Sequence, residues 1–515
     1  MRSVAHAIAA CAAIAALLIG IVRGTYAAGG SDSSCYLNTA RVFAGGAVRL
    51  DEPMARAAAW SNAVATFTPN GFNPSAVAPG AYVPICPPGL SAMMAAIRVL
   101  HASEFLVVPS LGALAAWLTF YLGRRIDRPL TGAAAAALLV SSPTFLYQVV
   151  QPMSDVPATA FWLLTLALAL GSSDGHERPL LAGIAASIAL WIRLNLLPLA
   201  AVVGAYMVFA YPRDRRLPGV TRFGVGMAPG LIALAWLQHA MYGSPFATGY
   251  GAGGPLMAAA NIGPNLLRYP RWLVETHPFV LLALAGPACV RREPGSNRPT
   301  PVPGAAWLFL ALSGATLACY LPLVVFDAWW YTRYLLPAIP FLAILSVVVA
   351  ARRLERLVPR AAPLAGVACL VVATAFGIVV AREKRAFELA ELEQHYRRAG
   401  TAVAERLPDR AAVVTGRNSG SVRYHAGLPT LSWETLPAGS LDDVLRFVRD
   451  RGYVPYLLFE LDEETPFRQR FRGTSPMAEL DWPPMLQVGR TIRIYDPADR
   501  ARFMADGKTH TEFIR

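Results

Sequence analysis

The chain has 515 residues, 55% of them hydrophobic and 15% charged, with a mean hydropathy of +0.41. A soluble domain carries about 25% charged residues, so a water-soluble globule is excluded, and apolar runs near the roughly 20 residues needed to cross a bilayer recur along the chain. The formal net charge of +13 is dispersed over short loops between those runs, which fits positive-inside topology and not nucleic-acid binding.

The first apolar run, 4–22, follows Arg2. It is longer than the roughly 7–15 residues of a signal-peptide core, so it reads as a retained membrane helix. Residues 23–104 then form a long first outer loop rich in Pro, Gly and Asn. Asp32 stands just outside the bilayer there, after Gly29 and Gly30, and the spacing of Tyr36, Leu37 and Ala40 predicts a short helix behind it. The loop also holds an amphipathic piece at 54–60, the segment from Tyr82 to Gly89 and an interfacial helix over 90–100.

Spans follow at 105–122, 130–150, 156–170, 180–192, 196–210, 223–241, 277–290, 307–325, 334–350 and 361–380. Arginines crowd alternate loops (Arg124, Arg125 and Arg128; Arg213, Arg215, Arg216 and Arg222; Arg291, Arg292 and Arg298; Arg352, Arg353, Arg356 and Arg360), while the short turns between carry almost none. That bias predicts about eleven spans, with the N-terminus inside and the C-terminus outside. The outer turns carry Gln151 and Asp155, Arg193 and Asn195, Tyr250, and Asp327 ahead of Arg333. After 382 the composition becomes charged and turn-rich. A helix over 383–407, strands at 411–415, 456–460 and 488–495 and a helix at 441–450 predict a small α/β domain. The fold expected is mainly α, a polytopic membrane helix bundle over 1–382 with interfacial helices in its first outer loop, followed by an extracytoplasmic α/β domain over 383–515.

Acidic residues at the margins of apolar segments are functional candidates. Asp32 and Asp155 sit on the same predicted face, at the ends of independent hairpins. Arg333, among Trp329, Trp330, Tyr331 and Tyr334, reads either as an aromatic-belt anchor or as a guanidinium for a lipid phosphate; Arg193, with Asn195, carries the same ambiguity. Tyr36, Tyr82, Gln151, Tyr250 and Asp327 complete the candidates for a substrate cleft. Four of the six cysteines, Cys11, Cys289, Cys319 and Cys369, lie in apolar spans, whereas Cys35 and Cys86 share the first loop and are candidates for a disulfide on an oxidising face. No Cys/His metal spacing occurs. A GxGxxG match at 249–254 follows no strand and carries no dinucleotide reading.

Several of these stretches occur together in one order: Gly-Gly-Ser-Asp32-Ser with Tyr36 and Leu37, Pro87-Pro88-Gly89, Ser142-Pro143 before Pro152-Met153-Ser154-Asp155, Tyr242-Gly243-Ser244-Pro245, and Arg333-Tyr334-Leu335-Leu336-Pro337. Over residues 1–380 that order resembles the GT-C superfamily of membrane glycosyltransferases, in the branch of bacterial relatives of protein O-mannosyltransferases and lipid A aminoarabinose transferases. The resemblance implies a polyprenyl-phosphate sugar donor, Asp32 as the base, Asp155 as a second acid and Arg333, with Arg193, at the donor phosphate. It leaves open whether the acceptor is a glycan, a lipid or a protein. Many members carry two adjacent acids in the first loop, whereas in this chain Ser33 follows Asp32; a divalent cation prefers more carboxylate than that, so no metal or other cofactor is expected. The competing reading, a multi-pass transporter or lipid-linked-sugar flippase of the cell (inner) membrane, calls for broken helices or ionisable groups at the bilayer midplane, which the sequence does not display.

Overall fold

The computed structural model describes residues 2–170, 177–250, 256–290 and 304–514. The arginines at 291, 292 and 298 and most of the GxGxxG match lie outside them.

Among the described residues, five helices are long and apolar enough to cross a membrane by themselves: Ser3–Val22, Glu104–Ile126, Arg213–Tyr242, Trp329–Leu357 and Ala362–Glu383. The last turns Leu364, Val367, Val371, Val372 and Val379 outward, an exposed apolar stripe that fits contact with lipid chains. Five shorter apolar helices accompany them: Pro88–Val99, Asp155–Ala169, Pro179–Ile192, Leu194–Ala210 and Ala305–Tyr320. Small residues allow close approach in the bundle. A Cβ on Gly132 would lie 2.2 Å from the Phe120 carbonyl oxygen, so two helices cross there backbone to backbone.

Three expected spans come out differently. The run at 130–150 is broken into Pro129–Val140 and Pro143–Val149, bent by 65°, because Pro143 cannot continue the hydrogen-bond ladder. The run at 277–290 forms only two single turns, Val280–Ala283 and Gly286–Cys289, interrupted by Gly286 and preceded by Pro278. The turn before 334–350 is itself wound into a 3₁₀ helix, Trp329–Ala338, leading into Ile339–Leu357. The segment before His277 contains an amphipathic helix, Ile262–Thr276, which lacks a long apolar run and so left no span signal. Buried Asp127 accepts from Arg352 at 3.1 Å and from Thr131 at 2.7 Å, so Arg352, read from the sequence as a topology signal, is also a structural partner.

The first loop and the C-terminal segment share one core. In the loop, β1 (Leu50–Asp51) and β2 (Phe72–Pro74) flank β3 (Ala81–Pro84), all antiparallel. Downstream, β4 (Ala411–Val414), β5 (Thr430–Leu431), β6 (Val454–Glu460), β7 (Leu486–Val488), β8 (Ile492–Tyr495) and β9 (Glu512–Ile514) form a mixed sheet of order β5-β4-β6-β8-β7-β9. The single strand expected at 488–495 is a hairpin, reversed where Gly489 takes a φ of +58°, a conformation glycine adopts without steric cost. The helix expected over 383–407 is interrupted, and its long part is Gln394–Arg406. Met54, Phe67, Phe72 and Tyr82 of the loop pack with Ala412, Leu431, Trp433 and Leu457 of the sheet, and buried Glu52 pairs with Arg423 at 2.9 Å.

Cys35 and Cys86 are bonded, closing a loop of 51 residues and fixing the Asp32 helix, Gly30–Ala44, to the Pro87-Pro88-Gly89 corner. A closure of that length stabilises by about 4 kcal/mol on the chain-entropy model, with measured values typically about 2–4. Reductant should therefore lower the thermal midpoint of the detergent-solubilised wild type and leave a Cys35→Ala/Cys86→Ala protein unmoved. Equal responses of the two would remove this role.

Candidate functional site

Asp32 occupies the first turn of the helix Gly30–Ala44, where the helix dipole favours a negative charge. Both preceding glycines have a steric reason. Gly30 has a φ of +55°, and a Cβ on Gly29 would fall 1.8 Å from the Glu393 carboxylate. The Asp32 carboxylate, 37% exposed, accepts from Arg333 Nη2 at 2.8 Å. The 3₁₀ helix Trp329–Ala338 holds Arg333, whose guanidinium carbon lies 4.9 Å from the Tyr334 ring centre and 5.6 Å from that of Tyr331. Nη2 also donates to the Tyr334 hydroxyl at 3.3 Å; among the described residues Nη1 reaches only the Met153 sulfur, at 3.9 Å, and Nε is buried without a partner. Arg333 thus keeps N–H donors unused beside a carboxylate that water can reach.

Asp155 is fully buried in the first turn of Asp155–Ala169. Its Oδ1 accepts from Arg193 Nη2 at 2.7 Å, while Oδ2 has no partner among the described residues. Arg193 follows the helix Pro179–Ile192 and is occupied at every nitrogen, with Nε donating to Ser154 at 3.0 Å and Nη1 to the Tyr320 hydroxyl at 2.7 Å. Tyr320 stacks on Tyr334 with centroids 4.7 Å apart, so the two ion pairs share an aromatic wall. Tyr36, 5% exposed, lies between them, coupled electrostatically to Arg193, Asp32 and Asp155. Burial, ahead of these charges, pushes its phenol well above the ordinary range.

The structure therefore brings together Asp32, Tyr36, Asp155, Arg193 and Arg333 from four separate segments, Asp32 and Tyr36 sharing the helix Gly30–Ala44. Asn195 joins them through the Tyr320 hydroxyl, and Tyr250 stands within electrostatic range of Tyr36 and Asp32. Three candidates fall elsewhere. Tyr82 is a core residue whose hydroxyl donates to the Val64 carbonyl at 2.8 Å. Gln151 donates to the Tyr147 carbonyl at 2.9 Å and caps its own turn. Asp327 is 88% exposed and pairs with Arg268, anchoring the amphipathic helix Ile262–Thr276. Arg193, a candidate for the donor phosphate, is taken up by Asp155, Ser154 and Tyr320. Sequence reasoning missed Ser154, Tyr320 and Tyr334; Ser154 and Tyr334 were within its motifs, but Tyr320 ends an ordinary apolar run and gave no signal.

Asp32 and Asp155 each already carry a guanidinium, so their charge is compensated and the donor set does not fit a divalent cation. Among the described residues no group of three or more His, Cys, Asp or Glu is placed to hold a metal ion.

Residues 79–211 match the family model described as oligosaccharyl transferase STT3, N-terminal. No curated protein matches the chain in sequence. Among solved structures, ArnT from Cupriavidus metallidurans bound to undecaprenyl phosphate is 14% identical with a TM-score of 0.52, over 88% of this chain and 93% of that one. Its apo form gives a TM-score of 0.55 at 13% identity, over 89% and 93%. The oligosaccharyltransferase AglB from Archaeoglobus fulgidus, in complex with an inhibitory peptide and a dolichol-phosphate, gives 0.51 at 12% identity, over 93% and 72%. The fold of this chain is the GT-C fold that these membrane proteins share.

Proposed function

We propose that this chain is an integral-membrane glycosyltransferase, moving a sugar from a polyprenyl-phosphate donor to an acceptor hydroxyl on the outer face of the cell (inner) membrane. The observation that carries the reading is the half-open Asp32–Arg333 pair, a base beside a cation with unused donors. A lipid phosphate entering the site competes with Asp32 for Arg333, and guanidinium pairs with phosphate through two parallel hydrogen bonds. That exchange leaves the Asp32 carboxylate free to take the proton of the acceptor hydroxyl. The acceptor oxygen then bonds to C1 of the sugar as the bond from C1 to the phosphate oxygen breaks, and polyprenyl phosphate leaves as an anion that needs no proton. Arg333 meets the charge gathering on the departing phosphate. One displacement of this kind inverts the anomeric centre.

Asp155 and Arg193 form the floor of the site, holding Tyr36 and the Tyr320–Tyr334 wall in place. The domain at 383–515 stands on the outer side with the first loop, and the spans number about eleven by the arginine bias. ArnT with undecaprenyl phosphate and AglB with a dolichol-phosphate support the donor class by likeness of fold. The test is mass spectrometry of envelope glycans and lipid-linked sugars with and without the gene. Loss of one sugar addition together with a build-up of its polyprenyl-phosphate donor is expected. Unchanged glycans, with uptake of a solute by proteoliposomes free of any lipid-linked sugar, would replace the reading with a transporter.

A further inference from the structure

The short helix Pro88–Val99 ends beside the start of the span Glu104–Ile126, at a junction the proposed transfer reaction does not use. That span runs antiparallel to Ser3–Val22, with Gly20 against Pro109 at one end and His6 against Phe120 at the other. The junction therefore lies at the end of the bundle from which the Asp32 helix emerges. Val99, Leu100 and Leu106 are 59%, 73% and 37% exposed there. They form an apolar lip at the level where the span leaves the hydrocarbon, and side chains so placed sink into the boundary between headgroups and acyl chains.

Behind the lip stands a cluster of positive charge. Glu104 accepts from Arg98 at 2.9 Å and from the Tyr424 hydroxyl at 2.6 Å. The guanidinium carbon of Arg41 lies 4.1 Å from the centre of the Tyr424 ring. Arg41 is half-buried, and its Nε is buried with no partner among the described residues. Burial, and then the charge of Arg98, hold Arg41 below its ordinary value. His425, beside Tyr424, is pushed down to about 4 by burial and then by Arg41 and Arg397. Three arginines thus stand around one carboxylate, and Arg98 and Tyr424 already share that carboxylate. The cluster is short of negative charge. It is also open to a ligand, since the Arg98 side chain is 39% exposed and Arg397 is exposed.

These surroundings set the ligand class. Guanidinium pairs with phosphate through two parallel hydrogen bonds, and basic groups at a membrane surface attract anionic headgroups. A zwitterionic headgroup would bring its own ammonium into the cluster, against the same repulsion the arginines exert on one another. A free phosphate would use the cations and leave Val99 and Leu100 in water. A phosphate carrying acyl chains satisfies both halves.

We propose that Arg41 and Arg98, with the lip of Val99 and Leu100, bind an anionic phospholipid of the surrounding membrane. Arg41 is in the last turn of the Asp32 helix and Arg98 in the last turn of Pro88–Val99, while Tyr424 and Arg397 belong to the C-terminal segment. The headgroup therefore ties three parts of the chain together at the membrane surface. The assignment rests on the membrane reading of the chain and is independent of the transferase reading.

The test uses the full chain in nanodiscs of phosphatidylcholine alone, or of equal parts phosphatidylcholine and phosphatidylglycerol. Lipid retained after extraction into detergent is measured by native mass spectrometry, beside the thermal midpoint in each nanodisc. Phosphatidylglycerol is expected to be retained in preference to phosphatidylcholine and to raise the midpoint. Arg41→Gln should cut that retention about tenfold, the loss of one charge-assisted hydrogen bond, and remove most of the midpoint difference. Leu100→Ser alters an exposed side chain and should weaken retention as well, so it remains informative if Arg41→Gln does not fold. Equal retention of the two lipids, or retention unchanged in both variants, would overturn the proposal. Displacement of bound phosphatidylglycerol by inorganic phosphate would overturn the lipid and leave a site for free phosphate.

Discussion

An Asp32→Asn protein is expected to fold, to bind a polyprenyl-phosphate sugar and to transfer almost nothing. The amide has nearly the size of the carboxylate but cannot take a proton, and removing a positioned base costs typically about 10²–10⁴-fold in rate. Stability should scarcely change. The carboxylate is 37% exposed, and ion pairs open to water are worth about 0–1 kcal/mol. The check is a single-turnover assay with labelled donor in liposomes, run beside thermal unfolding of the same preparations. A midpoint near that of the wild type with transfer reduced at least about a hundredfold supports Asp32 as the base. Wild-type transfer in the Asn protein would remove it from that role. Asp32→Glu refines the test, because one added methylene keeps the base and moves it by about an ångström, a displacement that can itself cost roughly 10²-fold.

Much of this site was legible in the sequence because its residues stand at helix ends, where apolar runs stop and any polar group is conspicuous. Asp32, Asp155, Arg193 and Arg333 all follow that rule. The same logic misplaced Asp327, which also ends an apolar run but turns outward to Arg268. Hydropathy marks where a segment leaves the bilayer and is silent on which way a side chain points. Tyr82 failed for a related reason. Its strand is buried at every position, so no alternation separated a core tyrosine from one lining a cleft. The broken spans at 130–150 and 277–290 show the limit of run length as a signal. Apolar composition survives Pro143, Pro278 and Gly286, but the helical ladder does not. The mixed order of the C-terminal sheet was out of reach, because a reversal of strand order exists only once the strands are paired.

The two arginines were indistinguishable in sequence, yet substitution should separate them. Arg193 pairs with a carboxylate that is wholly buried, and its side chain is 9% exposed. An Arg193→Met protein leaves Asp155 charged, buried and alone, a loss of about 3–5 kcal/mol for breaking one side of such a pair. Ser154 and Tyr320 lose their donor as well. Adding Asp155→Asn should return most of that stability, because the uncompensated charge is then gone, and the two changes couple as contacting residues do. Arg333 faces a half-open partner, so Arg333→Met should unfold near the wild-type midpoint and show its loss in KM for the polyprenyl-phosphate donor and in the transfer rate. Thermal unfolding of the two single variants and the Arg193→Met/Asp155→Asn double variant, with donor kinetics for Arg333→Met, decides the assignment. If Arg193→Met were stable and impaired only towards donor, while Arg333→Met unfolded, Arg193 would be the phosphate ligand and Arg333 the structural partner.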